Sequence, residues 1–273
     1  MADRQFRFGI IAAQARSAAE WTGLARRVAG LGYQALMVPD TIHTLAPAVA
    51  CAVAATAAES LVVGPYVLSV PNRSPGQIAL ETATLQTLTD GRYQLGLGPG
   101  RPGADTDAAV FERPFGSAAD RLKQVAATVS AVRERSPRTP IMIAAGGPHG
   151  LRQAGALADV VAFGLPPLAG DEQLDRAVQQ VRAGAGDRLP DLELSQNLLA
   201  VGDEEPSWLP RANGGLTVAE LRRQGSIAVL SGSTADMVDT LQRRREATGI
   251  SFVCVSAAFA DQLAPVVAVL AGH

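Results

Sequence analysis

A chain of 273 residues with 47% hydrophobic and 18% charged side chains can bury a large core, as one big α/β domain or as two small ones. Its formal net charge of -2 and isoelectric point near 5.9 exclude the broad cationic face with which nucleic-acid binders meet phosphates. The longest apolar stretch, 45–58, spans 14 residues and is interrupted by Pro47, whereas a membrane span needs roughly 20.

The first residues enter a strand-like pattern without a basic segment followed by an apolar one, so no secretion signal is expected. Cys51 and Cys254 lie far apart, each in an apolar run, and read as small buried hydrophobes rather than as a disulfide or a metal site. Both features predict a protein of the reducing cytoplasm.

In chain order, residues 6–15 form an apolar, β-branched run, and Ser17 to Glu20 has the spacing of a capping box ahead of a helix that Gly32 ends. A short strand over 35–38, a helix over 47–58 and a strand over 61–69 follow. Ser74, Pro75 and Gln77 combine an N-cap, a first-turn proline and a reciprocal glutamine, opening a helix to about Leu88. The pattern then predicts strand 93–97, helix 118–135, strand 141–145, helix 150–158, strand 160–163, helix 172–182 and strand 192–201. Ser233 caps a helix to about Ala247, strand 251–255 comes next, and a helix over 260–270 is last.

Eight nearly continuous apolar strands, each followed by a helix, require a parallel sheet covered on its outer face. In a chain of this length they predict a single (β/α)8 TIM-barrel domain over 1–273. A doubly wound open sheet also alternates strand and helix, but its glycine-rich turn after the first strand is missing from GIIAAQARSAAE.

A barrel places chemistry at the C-terminal ends of its strands. Gly146 and Gly147 end the fifth strand just ahead of a helix that starts near His149; they suit a phosphate held by backbone N–H groups, or else a tight turn with no ligand, which a lone pair of glycines more often marks. Other strand ends carry Gln14, Asp40, Thr41, His43, Asn72, Arg73, Arg101 and Asn197. His43 is a candidate acid or base because its ordinary pKa lies near neutrality, or else a solvated loop residue. Arg73 and Arg101 suit an anionic ligand or a surface salt bridge. A serine-hydrolase elbow, a zinc cluster and a Walker loop are absent from the sequence.

Five collinear stretches carry a resemblance: EWTGLARRVAGLGYQALMVPD, LVVGPYVLSVPNRSPGQIALETATLQTLTDGRYQLGLGPG, DRLKQVAATVSAVRE, PIMIAAGGPHGLRQAGALADVVAFG and STADMVDTLQRRREATGISFVCVS. Together they cover over half the chain and resemble the bacterial luciferase-like flavin oxidoreductases, most closely the actinobacterial branch that uses the deazaflavin coenzyme F-420. The resemblance implies a barrel that holds reduced FMN or coenzyme F-420, with its phosphate near Gly146, Gly147 and His149. It also implies a cis peptide at Tyr66-Val67 behind the ring, with Asp40, Thr41 and Asn72 nearby. It further implies a small-molecule substrate, a separate flavin reductase if FMN is used, and a homodimer formed through outer helices.

Three departures bear on mechanism. Asp40-Thr41 stands where deazaflavin-dependent relatives often have Asp-His, with His43 displaced by two positions; Arg101 stands where sugar-phosphate dehydrogenases of the family have a glutamate; and only 136–140 connect a helix to a strand where relatives insert an excursion. Hydride transfer and dioxygen activation therefore both stay open, as does a barrel that has lost redox activity and serves as a cofactor-free cyclase or binding protein.

Overall fold

The computed structural model describes residues 4–101, 103–212 and 214–273. The chain runs β1 (Arg7–Ile11), α1 (Ala18–Gly30), β2 (Ala35–Val38), α2 (Pro47–Ala57), β3 (Val62–Pro65), β4 (Leu68–Ser69), α3 (Pro75–Leu88), β5 (Leu95–Gly98), α4 (Ala104–Val110), α5 (Ala118–Arg135), β6 (Ile141–Ala145), α6 (Pro148–Leu157) and β7 (Val160–Phe163). It continues through α7 (Asp171–Ala185), β8 (Glu193–Leu198), β9 (Ala200–Val201), α8 (Leu209–Ala212), α9 (Val218–Arg223), β10 (Val229–Leu230), α10 (Thr234–Thr248), β11 (Ile250–Ser256) and α11 (Ala260–Leu270).

The main sheet is parallel, in the order β3-β2-β1-β11-β8-β7-β6-β5-β4. β3 and β4 are halves of one strand position, separated by a cis Tyr66-Val67 peptide as the resemblance implies. The Val63 N–H donates to the Arg92 carbonyl and the Val63 carbonyl accepts from the Gln94 N–H, both at 2.9 Å, so the two ends of the sheet meet. This closure decides for the (β/α)8 barrel over the open doubly wound sheet.

Strand alternation divides the core in two. Phe8, Ile10, Leu36 and Val38 belong to the large layer between barrel and helices, whereas Ala35, Met37, Met142, Ala162, Phe252 and Cys254 fill the barrel interior. At the N-terminal end of the strands, Arg7 closes the floor: its guanidinium bonds Glu193 at 2.6 Å and Gln94 at 2.8 Å and lies 3.7 Å from the centroid of the Phe252 ring. A half-buried charge in that position is tolerated because each side of it meets a partner.

The helix caps form largely as their residues dictate. Ser233 and Asp236 make the full reciprocal box, and so do Ser117 with Asp120 and Thr217 with Glu220. At Ser17 only half of the box forms, because the Glu20 carboxylate accepts from the Arg16 N–H at 2.8 Å instead. The expected reciprocal bond at Ser74 is likewise missing, since Gln77 donates to Glu81 at 2.9 Å.

Besides the 61–69 run, which divides into β3 and β4, three strands depart from expectation by more than one residue at an end. The 6–15 run stops pairing at Ile11, beyond which the chain crosses the mouth to α1; the 93–97 strand is shifted to Leu95–Gly98; and 192–201 divides into β8 and β9, the latter pairing with β10 in a separate two-stranded sheet. Between β9 and β10 the chain makes an excursion through α8 and α9 that the sequence pattern did not anticipate. Among the described residues no helix is long and apolar enough to cross a membrane.

Candidate active site at the barrel mouth

The C-terminal ends of β2, β4, β5, β6 and β7 surround a cavity of about 490 Å3, walled by Asp40, Thr41, Tyr66, Val67, Ser69, Gly98, Arg101, Gly146, Gly147 and Gly164 among others. Glycines at the strand ends make this space. A Cβ at Gly98 would lie 2.7 Å from Val67 Cγ2, so the break between β3 and β4 protrudes inward only because β5 yields there.

One wall is held by charge. Arg73 makes a bidentate pair with Asp40, at 2.7 and 2.9 Å, and Asp40 Oδ2 also accepts the Ser69 N–H at 2.9 Å. Fork-on-carboxylate geometry of this kind fixes orientation as well as charge. Arg101, also on the cavity wall, pairs with the buried Asp107 of α4 at 2.9 Å. Both arginines are therefore already paired with carboxylates. Ser69 Oγ, on the cavity wall, has no hydrogen-bond partner within the protein, and neither does either end of the buried Asn72 amide.

Gly146 and Gly147 turn out to be glycines for different reasons. A Cβ at Gly146 would overlap the Gly164 carbonyl oxygen, so close strand packing requires glycine there. At Gly147 a Cβ would meet no atom within 4 Å, and the backbone, at φ -90 and ψ 156, is open to any residue. Gly147 is the N-cap of α6, receives no side-chain cap, and faces the cavity, with exposed His149 in the first helical turn. This leaves unfilled donors and a helix dipole at the cavity edge.

The Tyr66 ring walls the cavity, and its phenol faces Ser195 and Cys254 in the barrel interior; burial raises its pKa well above the usual range. At neutral pH the hydroxyl is protonated and can donate.

Of the residues singled out in the sequence, Asp40, Thr41, Tyr66, Val67, Arg101, Gly146 and Gly147 share one cavity. Arg73 stands behind Asp40 and Asn72 is buried beside it, neither of them on the cavity wall. His43 is not brought in: it is exposed and borders a separate hollow with Gln14, Arg16 and Glu20. The Thr41 hydroxyl caps its N–H at 3.1 Å and its carbonyl accepts from Gln14 at 2.9 Å, which turns the loop outward. Sequence reasoning missed Ser69, Gly98 and Gly164, though the closely spaced glycines of LGLGPG were a signal for the second.

A family model described as luciferase-like monooxygenase matches residues 5–207. The chain belongs to the luciferase-like monooxygenase family. Three solved structures share the fold of this luciferase-like chain. The coenzyme F-420-dependent tetrahydromethanopterin reductase of Methanopyrus kandleri is 15% identical, with a TM-score of 0.75 over 97% of each chain. An F-420-dependent secondary alcohol dehydrogenase, in complex with an F-420-acetone adduct, is 15% identical, with a TM-score of 0.78 over 96% of this chain and 98% of the other. A long-chain alkane monooxygenase is 13% identical, with a TM-score of 0.73 over 97% and 91%. At such identities the likeness establishes the fold, and the luciferase-like chain's chemistry must be argued from its own residues.

Proposed function

We propose that this luciferase-like protein is an oxidoreductase that uses a reduced tricyclic cofactor, FMN or coenzyme F-420, for hydride transfer to, or monooxygenation of, a small organic substrate. The observation that carries this reading is the mouth cavity itself: a glycine-walled space with Val67 pushed into it at one end and the uncapped N-terminus of α6 at the other. The names of the three solved relatives, two F-420-dependent enzymes and a monooxygenase, support it.

The residues present fit such a group. Val67 and Tyr66 would back the ring, Asp40, Thr41 and Ser69 would meet its polar edge, and Gly146, Gly147 and His149 would receive the phosphate. When bound, the cofactor supplies the two-electron redox chemistry, and the chain's part is orientation, exclusion of water and proton placement. Asp40 is held in one rotamer by Arg73, so its remaining acceptor capacity points in a defined direction. The Tyr66 hydroxyl offers a donor at the inner edge of the cavity. Arg101 stands at the rim, where a substrate or the cofactor's outer part would pass.

In either reading the reduced cofactor is supplied from outside this chain, in the FMN reading by a separate flavin reductase. A cytoplasmic homodimer completes the proposal: Val49 and Val53 on α2 and Leu80 and Leu88 on α3 expose apolar side chains on outer helices, as a subunit interface would require. Anaerobic calorimetric titration with both reduced cofactors tests the central claim. Saturable binding of either supports it, and failure of both in a folded barrel favours the non-redox alternative.

A further inference from the structure

Two smaller hollows adjoin the main cavity at the mouth. One, of about 190 Å3, shares Tyr66, Ala144 and Gly164 with the main cavity, and another, of about 320 Å3, shares Asn197 and Leu199 with the first, so the three adjoin through common wall residues. Among the described residues Tyr66 is the only ionisable side chain on the walls of the two smaller hollows. Phe163, Leu165 and Leu199 line them, and Trp208, 42% exposed on the excursion that leads into α8, forms the outer wall. Asn197, on the inward face of β8, borders both, and its amide oxygen is buried without a partner.

An uncharged wall gives no compensation for stripping water from an ion, whereas an unfilled amide rewards one hydrogen-bonding group brought to it. We propose that these two hollows are the substrate subsite, and that they take a neutral, mostly apolar molecule whose single hydroxyl donates to the Asn197 amide oxygen. The proposal rests on the oxidoreductase reading for the word substrate, and it replaces the expectation of an anion held by Arg73 and Arg101. Neither of those arginines lines these hollows, and both already face carboxylates. A hydroxyl at Asn197 sits on the wall common to both hollows, and the inner of the two is also walled by Tyr66 of the main cavity.

The test uses a matched pair of probes, 1-hexanol and hexanoate, titrated by calorimetry into the wild-type protein. Trp208 reports independently: the chain has two tryptophans, and Trp21→Phe leaves Trp208 as the sole emitter. Hexanol should bind saturably and change Trp208 emission, and hexanoate should bind at least tenfold more weakly. Asn197→Leu should weaken hexanol about tenfold, and Ala13→Phe, which fills the outer hollow, should abolish its binding, while both variants keep wild-type affinity for FMN or F-420. Equal binding of hexanoate, no binding of hexanol, or hexanol binding indifferent to both substitutions would overturn the proposal. The cofactor titration separates the two claims: cofactor binding without hexanol binding removes this inference alone. Hexanol binding with the expected variant pattern but no cofactor removes the oxidoreductase reading and leaves the pocket assigned as a ligand site.

Discussion

Arg73 grips Asp40 through both guanidinium nitrogens, with side chains only 14% and 3% exposed, and so ties the end of β2 to the segment that follows β4. Removing one partner leaves the other buried and uncompensated, which costs about 3 kcal/mol or more. Asp40→Asn should therefore lower stability by about that amount in urea unfolding. Adding Arg73→Met to it should recover part of the loss, because the stranded cation is gone. A loss under about 1 kcal/mol would mean that water already reaches the pair.

Gly146 and Gly147 should separate stability from binding. Gly146→Ala forces a methyl group onto the Gly164 carbonyl and should cost about 1–3 kcal/mol. Gly147→Asp meets open space and an ordinary backbone conformation, so its unfolding midpoint should match wild type while cofactor affinity falls at least tenfold through repulsion of the phosphate. Chemical denaturation and calorimetry on both variants check this. If Gly147→Asp binds as wild type does, the phosphate lies elsewhere.

The neighbourhood of these two glycines shows how much the sequence revealed. Apolar runs and serine-led helix starts located all eight strand positions, since burial and capping are local demands that leave local marks. The two-glycine end of β6 was visible too, but the reason for it was not: Gly164, whose carbonyl excludes a side chain at 146, is brought near only when β7 pairs with β6. The Arg73 and Asp40 pair joins residues 33 apart and is a product of closure. The resemblance supplied the Tyr66-Val67 cis peptide, which no periodicity encodes. The excursion between β9 and β10 escaped notice because its helices are too short to establish a period.

His43 should be dispensable. It is exposed and turned away from the main cavity by the Thr41 and Gln14 contacts of its backbone. His43→Gln should keep turnover within about threefold of wild type and preserve the shape of the pH–rate profile. A loss of about a hundredfold with one limb of the profile missing would establish it as the acid or base.

Alkali should reach the tyrosines only by unfolding the protein. Tyr33, Tyr66 and Tyr93 are all the tyrosines of the chain, and burial raises the pKa of each. Burial likewise raises both thiols, Cys254 to about 12. With folded values above unfolded ones, the stability from these groups is complete below about pH 8 and is lost as pH rises through the folded values, by about 1.4 kcal/mol per pH unit for each ionising group. Ultraviolet phenolate absorbance should therefore rise in one cooperative step that coincides with loss of circular dichroism. A tyrosine that titrates near pH 10 with the dichroism intact would contradict the burial assigned to it.

Val49→Arg combined with Leu80→Arg should convert a dimer to a monomer in sedimentation without changing the far-ultraviolet spectrum, since both side chains already point to solvent in the single chain. A wild-type protein that sediments only as a monomer at micromolar concentration would remove the dimer from the proposal.

The Arg7, Glu193 and Phe252 floor makes the barrel a well with a stopper at the bottom. Whatever enters must leave by the same opening, and so must every proton and water molecule exchanged during turnover. Two ligands at the mouth therefore share a single face of the protein for arrival and departure, and each can obstruct the other wherever their walls are common, as they are at Tyr66 and Gly164.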